Sequence, residues 1–268
     1  MENTTRNHHS ARVGIFQFDV QCGKPSENVE HVIASLEFFS DCQTDLVVLP
    51  EMWLCGFDNI SLREHANTSK QALNTIITYA RQFKLMIAGS LPEIENQKIF
   101  NTFYVIDKDG SIQGKYRKIH LFSPTDEPRY FSAGNEVVVC ETSIGKIGLM
   151  ICYDLRFPEL CRKLTMMDAT IVLVCGQWPK ARIHHWDILN CARAIENQLF
   201  IVAANRCGKD NDLIFGGHSQ LISPTGDILA KADDTEQCLS AVLDFKLIHQ
   251  FRKAIPCLQE RVKLLDST

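Results

Sequence analysis

Short, continuous apolar runs recur along this chain, each flanked by residues at helical spacing. Residues 45–50 (DLVVLP), 146–151 (KIGLMI), 169–175 (ATIVLVC) and 199–205 (LFIVAAN) are the clearest. A strand open to water on one face alternates apolar and polar residues. A strand apolar throughout must be covered on both faces, as happens where helices pack over a largely parallel sheet. This restricts the chain to layered α/β architecture. The run at 146–151 carries a second signal: it stops abruptly at Cys152, and Pro158 follows six residues later. Proline fits the first turn of a helix, where its missing N–H would have no partner. The pattern is strand, sharp turn, helix, with a thiol at the turn.

The remaining elements follow in order. Residues 12–19 read as a strand. Pro25 and Ser26 open a helix with Val29, Val32, Ile33, Leu36 and Phe39 on one face. Thr68 and Gln71 have capping-box spacing ahead of a second helix carrying Ile76, Ile77, Ala80 and Phe83, and residues 85–91 form another strand. The middle is β-rich: 99–106 and 111–116 flank Lys108-Asp109-Gly110, and 136–141 pairs with 146–151 through 143–145. Alternation then resumes, with a helix at 158–164, a strand at 169–175, a helix at 183–197 and a strand at 199–205. A hairpin about Pro224-Thr225-Gly226 joins 215–223 to 228–231; a strand at 239–245 and a helix to about 253 follow. We read a flexible arm at 1–11, one domain at 12–253 containing two sheets covered by helices, and a tail at 254–268.

Composition narrows the function. A net charge of −4 leaves no basic footprint for nucleic acid. No apolar run is long enough to span a bilayer, and residues 1–10 lack the apolar core of a secretory signal. The eleven cysteines are odd in number and contain no CxxC pair, so free thiols in a reducing cytoplasm are expected, with no structural metal. His184 and His185 are adjacent on a helix and point different ways, which does not suit a metal site.

Three reactive residues stand at or just beyond strand ends: Glu51, Lys118 and Cys152. Taken singly, each has an ordinary explanation as a solvated carboxylate, part of a basic surface run or a core thiol. Taken together they supply what amide cleavage requires. A thiol needs a base, which a carboxylate can be, and the tetrahedral oxyanion needs an ammonium and a backbone N–H, for which Tyr153 is placed. A histidine base, His120 or His218, is the competing enzymatic reading. A non-catalytic α/β scaffold is the other. Asp154 and Arg156 are expected to form a structural ion pair, and Trp178 either walls the pocket or packs in the core.

The segments Leu49-Pro50-Glu51-Met52, Tyr116-Arg117-Lys118-Ile119-His120-Leu121-Phe122 and Ile151-Cys152-Tyr153-Asp154-Leu155-Arg156-Phe157-Pro158 resemble, in order, the three motifs of the nitrilase superfamily of carbon–nitrogen hydrolases. The resemblance implies a four-layer α-β-β-α sandwich of two mixed sheets. It makes Glu51 the general base, Lys118 the transition-state stabiliser and Cys152 the nucleophile, with no cofactor and no metal. Glu127 matches the place of the family's second glutamate, which positions substrate or assists proton transfer. A homodimer or higher homo-oligomer is implied as well. Residues 153–158, 177–179 and 193–198 look most like the omega-amidase branch, which cleaves the terminal amide of small carboxylate-bearing amides such as 2-oxoglutaramate. Nitrilases, N-carbamoyl amidases and the amidase acting on deaminated glutathione share the triad. A substrate carboxylate calls for an arginine fork, for which Arg182 is the first candidate and Arg129 the second.

Overall fold

In the computed structural model, which describes residues 9–262, the continuous apolar runs become strands that send alternate side chains to two different cores. Strand β1 (Ser10–Gln17) runs into helix α1 (Pro25–Asp41), β2 (Leu46–Val48), α2 (Leu62–Phe83) and β3 (Met86–Glu95). On β2, Leu46 and Val48 face one core while Val47 faces the other; on β3, Met86 and Ala88 divide from Ile87 in the same way. This two-sided burial is why these strands carry no polar alternation.

The chain continues through β4 (Lys98–Ile106), β5 (Ile112–Arg117), the short helix α3 (Glu127–Tyr130), β6 (Val139–Thr142) and β7 (Gly145–Ile151). Next come α4 (Pro158–Met166), β8 (Ile171–Gly176), α5 (Ile183–Asn197) and β9 (Phe200–Asn205). The small pair β10 (Lys209–Asp210) and β11 (Leu213–Ile214) precedes β12 (Gln220–Ile222), β13 (Ile228–Lys231), β14 (Gln237–Asp244) and α6 (Lys246–Ala254).

Two six-stranded mixed sheets result, ordered β14-β1-β2-β3-β4-β5 and β13-β12-β9-β8-β7-β6. The parallel strands β1, β2 and β3 lie inside the first sheet, and β7, β8 and β9 inside the second. The sheets meet face to face, with β1 against β9, β4 against β7 and β5 against β6. Helices α1 and α2 cover the outer face of the first sheet; α4 and α5 cover the second. This is the expected four-layer sandwich. Among the described residues, no helix is long and apolar enough to cross a membrane.

Some boundaries moved for identifiable reasons. Strand β1 begins at Ser10, inside the stretch read as an arm, because Ser10 and Ala11 pair with Asp244 and Leu243 of β14. Residues 1–8 of the expected arm and 263–268 of the expected tail lie outside the described residues. Thr68 and Gln71 do not start α2, which begins six residues earlier; the Thr68 hydroxyl donates back to the carbonyls of Glu64 and His65, as mid-helix threonines do. Strand β3 continues through Pro92 to Glu95 and turns into β4 through Asn96 and Gln97, both at positive φ (47° and 65°), as a two-residue type I′ hairpin requires. Strand β3 also fixes the turn after β2. At Gly89 an added Cβ would stand 2.8 Å from the Trp53 ring, so only glycine lets the Glu51–Trp53 turn settle onto the sheet.

Candidate active site

Glu51 follows β2 with its side chain almost fully buried. Its Oε1 accepts hydrogen bonds from Lys118 Nζ (2.8 Å) and Asn101 Nδ2 (2.8 Å), and its Oε2 accepts one from the Gln177 N–H (3.0 Å). Asn101 lies on β4 and Lys118 just past β5, both in the first sheet; Gln177 follows β8 in the second. The carboxylate is therefore held from both halves of the sandwich. Gln177 Nε2 also donates to the Glu51 carbonyl (2.7 Å), and its Oε1 accepts from the buried Arg206 (3.0 Å). Arg206 continues to Asp19 (3.1 Å).

Lys118 is buried between two carboxylates. Beyond Glu51, its ammonium donates to both oxygens of Glu127 (2.9 Å each), and Glu127 Oε2 also accepts from the Phe122 N–H (2.6 Å). Burial alone would drive the lysine toward neutrality, but Glu51 and Glu127 outweigh it and hold its pKa well above the ordinary value. Burial pushes Glu127 up, with Glu51 adding and Lys118 opposing. Two carboxylates and one ammonium leave this closed cluster one negative charge in excess when all are ionised.

Cys152 is the first residue after β7 and has φ +46°, in the left-handed region that L-residues rarely adopt. Such a backbone costs roughly 1–3 kcal/mol, so the surrounding contacts must impose it. Burial raises the thiol pKa well above its usual value, and the Glu51 carboxylate adds to this; Lys118 and the Gln177 N–H pull the other way. Ionising the sulfur would add a further negative charge beside two carboxyl groups that share a single ammonium.

Glu51, Lys118, Glu127 and Cys152 line one cavity of about 440 Å³. Tyr153 and Trp178 line it too; Trp178 does so while also packing in the core, and its indole Nε1 donates to the Arg182 carbonyl (2.9 Å). Arg182 also reaches the cavity, its guanidinium 5.7 Å from the Phe122 ring centroid. Arg129 does not: it is exposed on α3, with its guanidinium over Tyr130. Arg156 does line the cavity, lying 4.7 Å over the Trp178 ring and near His185 Nδ1 (3.3 Å).

The expected Asp154–Arg156 ion pair is absent among the described residues. Asp154 is fully buried and turns inward, accepting hydrogen bonds from Tyr116, His120 and Ile151, whereas Arg156 turns to the cavity. Neither His120 nor His218 lines the cavity: His120 stacks on Phe157 (3.7 Å) and His218 pairs with Asp187 (2.9 Å). Among the described residues no cluster of three His, Cys, Asp or Glu side chains could hold a metal, and His184 and His185 form no such site.

A family model for carbon–nitrogen hydrolases matches residues 12–253, nearly the whole chain. The chain belongs to the carbon–nitrogen hydrolase family. It is 38% identical to the 2-oxoglutaramate amidase of Bacillus subtilis over 253 residues, covering 92% of this chain and 96% of that one. It is 34% identical to the omega-amidase YafV of Escherichia coli, covering 87% and 90% of the two chains. Among solved structures, a CN-hydrolase superfamily protein of Xanthomonas campestris superposes with a TM-score of 0.91 at 29% identity, covering 97% of this chain and all of that one.

In this carbon–nitrogen hydrolase, Asn101, Gln177, Arg206 and the inward Asp154 were not foreseen as site residues. Gln177 could have been suspected from its place directly after an apolar run, as Glu51 and Cys152 were. Asn101 sits inside a strand and Arg206 in a loop, and nothing local marks either.

Proposed function

We propose that this carbon–nitrogen hydrolase is a thiol amidase of the omega-amidase type, releasing ammonia from the terminal amide of small carboxylate-bearing amides such as 2-oxoglutaramate. The observation that carries the substrate class is a pair of guanidiniums, Arg156 and Arg182, lining the same cavity as Cys152. Among the described residues neither is paired with a carboxylate; each instead lies over an aromatic ring. A buried carboxylate without a partner is costly, and a guanidinium meets it with two parallel hydrogen bonds. The names of the Bacillus and Escherichia relatives favour the same substrate class. The arginines set the anionic end of a short substrate away from the amide.

Cys152 Sγ attacks the amide carbon as its proton passes to Glu51. The oxyanion is held by Lys118 Nζ and the Tyr153 N–H, at the start of a turn whose first N–H groups have no helical partners. Collapse breaks the C–N bond, and Glu51 returns the proton to the departing ammonia. Water then loses a proton to Glu51 and attacks the thioester; the thiol leaves with that proton. Glu127 holds Lys118 in place through the cycle.

An ammonia-release assay over 2-oxoglutaramate, 2-oxosuccinamate, glutamine, a neutral aliphatic amide, a nitrile and an N-carbamoyl amino acid tests the substrate class. The 2-oxo monoamides are expected to lead by at least about tenfold in kcat/KM. A preference for the neutral amide or the nitrile overturns the omega-amidase assignment. Replacing Arg156 or Arg182 by Ala is expected to raise KM for the carboxylate substrates far more than it lowers kcat.

A cytoplasmic location belongs to the same proposal, since eleven free cysteines suit a reducing compartment. So does a homodimer. Ile188 and Ile195, seven residues apart on α5, are 63% and 44% exposed, an apolar stripe of the kind a partner covers. Sedimentation at micromolar concentration is expected to give twice the monomer mass, and Ile188→Asp to halve it. A monomer throughout removes the dimer from the proposal.

A further inference from the structure

The Asp154 carboxylate is fully buried and accepts four hydrogen bonds. Oδ1 takes the His120 N–H (3.0 Å) and His120 Nδ1 (2.7 Å); Oδ2 takes the Tyr116 hydroxyl (2.7 Å) and the Ile151 N–H (2.9 Å). The donors fall into two groups. Tyr116 and His120 stand two residues to either side of Lys118, whereas Ile151 immediately precedes Cys152. One side chain thus ties the turn that bears the ammonium to the turn that bears the thiol, across the gap between the two sheets.

We infer that Asp154 is a positioning residue for the amidase reaction, fixing the separation of Lys118 and Cys152. This rests on the catalytic reading of those two residues. It acts on the thiol side by holding the Ile151 N–H, which sets the backbone entering the strained Cys152 at φ +46°. On the lysine side it pins both flanks. The Tyr116 hydroxyl, while donating to Asp154, also accepts from the Ile119 N–H (3.3 Å). The His120 ring, with its Nδ1 proton on the carboxylate, is clamped flat against Phe157 of the cysteine segment, at 3.7 Å and 8° between planes. An ammonium aimed at a developing oxyanion is effective only at the distance set for it, so tying the two turns converts binding geometry into rate.

Only a carboxylate meets this donor set. An asparagine amide has one acceptor and one donor end. Placed with nitrogen at the Oδ1 position it strands the His120 N–H; placed the other way it strands the Ile151 N–H. The Tyr116 hydroxyl can rotate and the His120 ring can change tautomer, but the two backbone groups cannot. Either orientation frees one of the two turns.

Asp154→Asn and Tyr116→Phe test this, with kcat and KM measured per folded molecule and the folded fraction taken from circular dichroism at the assay temperature. Asp154→Asn is expected to lower kcat roughly 10–100-fold with KM changed less than about threefold. Tyr116→Phe, which removes one of the four bonds and keeps the ring, is expected to lower kcat about three- to tenfold. Alkylation of Cys152 by iodoacetamide, followed on its own peptide, is expected to change rate in Asp154→Asn, and that readout needs no substrate. Wild-type kcat per folded molecule in both variants overturns the inference, as does a rise in KM alone. Should Asp154→Asn not fold, an unchanged kcat in Tyr116→Phe overturns it by itself. Turnover by Cys152→Ala would instead remove the thiol reading and leave these two results to be judged separately.

Discussion

Cys152 combines a backbone that resists its position with a sulfur that resists ionisation. The thiol pKa is raised by burial and by Glu51, so the proposed attack by sulfur calls for a base within the cluster rather than a standing thiolate. Glu51→Gln is expected to cost roughly 10²–10⁴-fold in kcat, the usual worth of a positioned general base, with little change in the fold. Cys152→Ala is expected to abolish ammonia release and leave the circular dichroism unchanged; release near the wild-type rate would remove the thiol from the mechanism. Cys152→Ser is expected to fail as well, because the hydroxyl is a far poorer acid for the same base. Glu51 and Cys152 were legible because each ends an apolar run with a reactive group, and Lys118 because it stands just past the second strand of a hairpin. Their supports were not. Asn101 reaches Glu51 across 50 positions and Gln177 across 126, and local sequence carries no trace of contacts at that separation. Asp154 and Arg156 were misread for a related reason: opposite charges two residues apart suggest a pair, but the tight turn after Cys152 sends one side chain inward and the other to the cavity.

Lys118 depends on how β5 is held. Glu93 of β3 reaches past β4 to Arg117, with Oε1 on Nη2 at 2.7 Å and Oε2 on Nε at 3.0 Å, and it also takes Lys115 and the Thr102 hydroxyl. Arg117 lies 4.0 Å over the Phe100 ring. Burial works against the Glu93 charge, but these donors outweigh it and bring its pKa from 4.5 down to about 2. Because the folded value is the lower one, the clamp stabilises fully above the unfolded value and is lost as pH falls from 4.5 toward 2. Glu93→Gln is expected to cost on the order of 1–2 kcal/mol near pH 7, less than the whole shift would give because water screens this half-buried cluster. Urea melts should show that difference shrinking as pH falls through this window, and a difference constant from pH 7 to pH 3 would deny the clamp its charge. Hairpin β4–β5 was readable from its Asp-Gly turn. The β3–β4 turn was not, because Asn96 and Gln97 carry no glycine and Pro92 breaks the apparent strand.

The molecule as a whole is two sheets, neither of which holds the site alone. The first contributes Glu51, Asn101 and Lys118, and the second contributes Cys152 and Gln177. The α/β alternation made the layers legible, but which strands border which is decided by pairings between distant parts of the chain. The most distant is β1 with β14, joined along eight residues from Ser10↔Asp244 to Gln17↔Gln237. Gln17 adds bonds to the Asp233 carbonyl and the Ser219 N–H at 2.8 Å each. On a ribosome, β1 emerges about 220 residues ahead of its outer neighbour, the separation of the paired Gln17 and Gln237. At 5–20 residues per second that interval is roughly 10–45 s, during which β1 exposes an unpaired edge of the kind that recruits other strands. The nascent chain therefore has reason to meet a chaperone before β14 reaches β1.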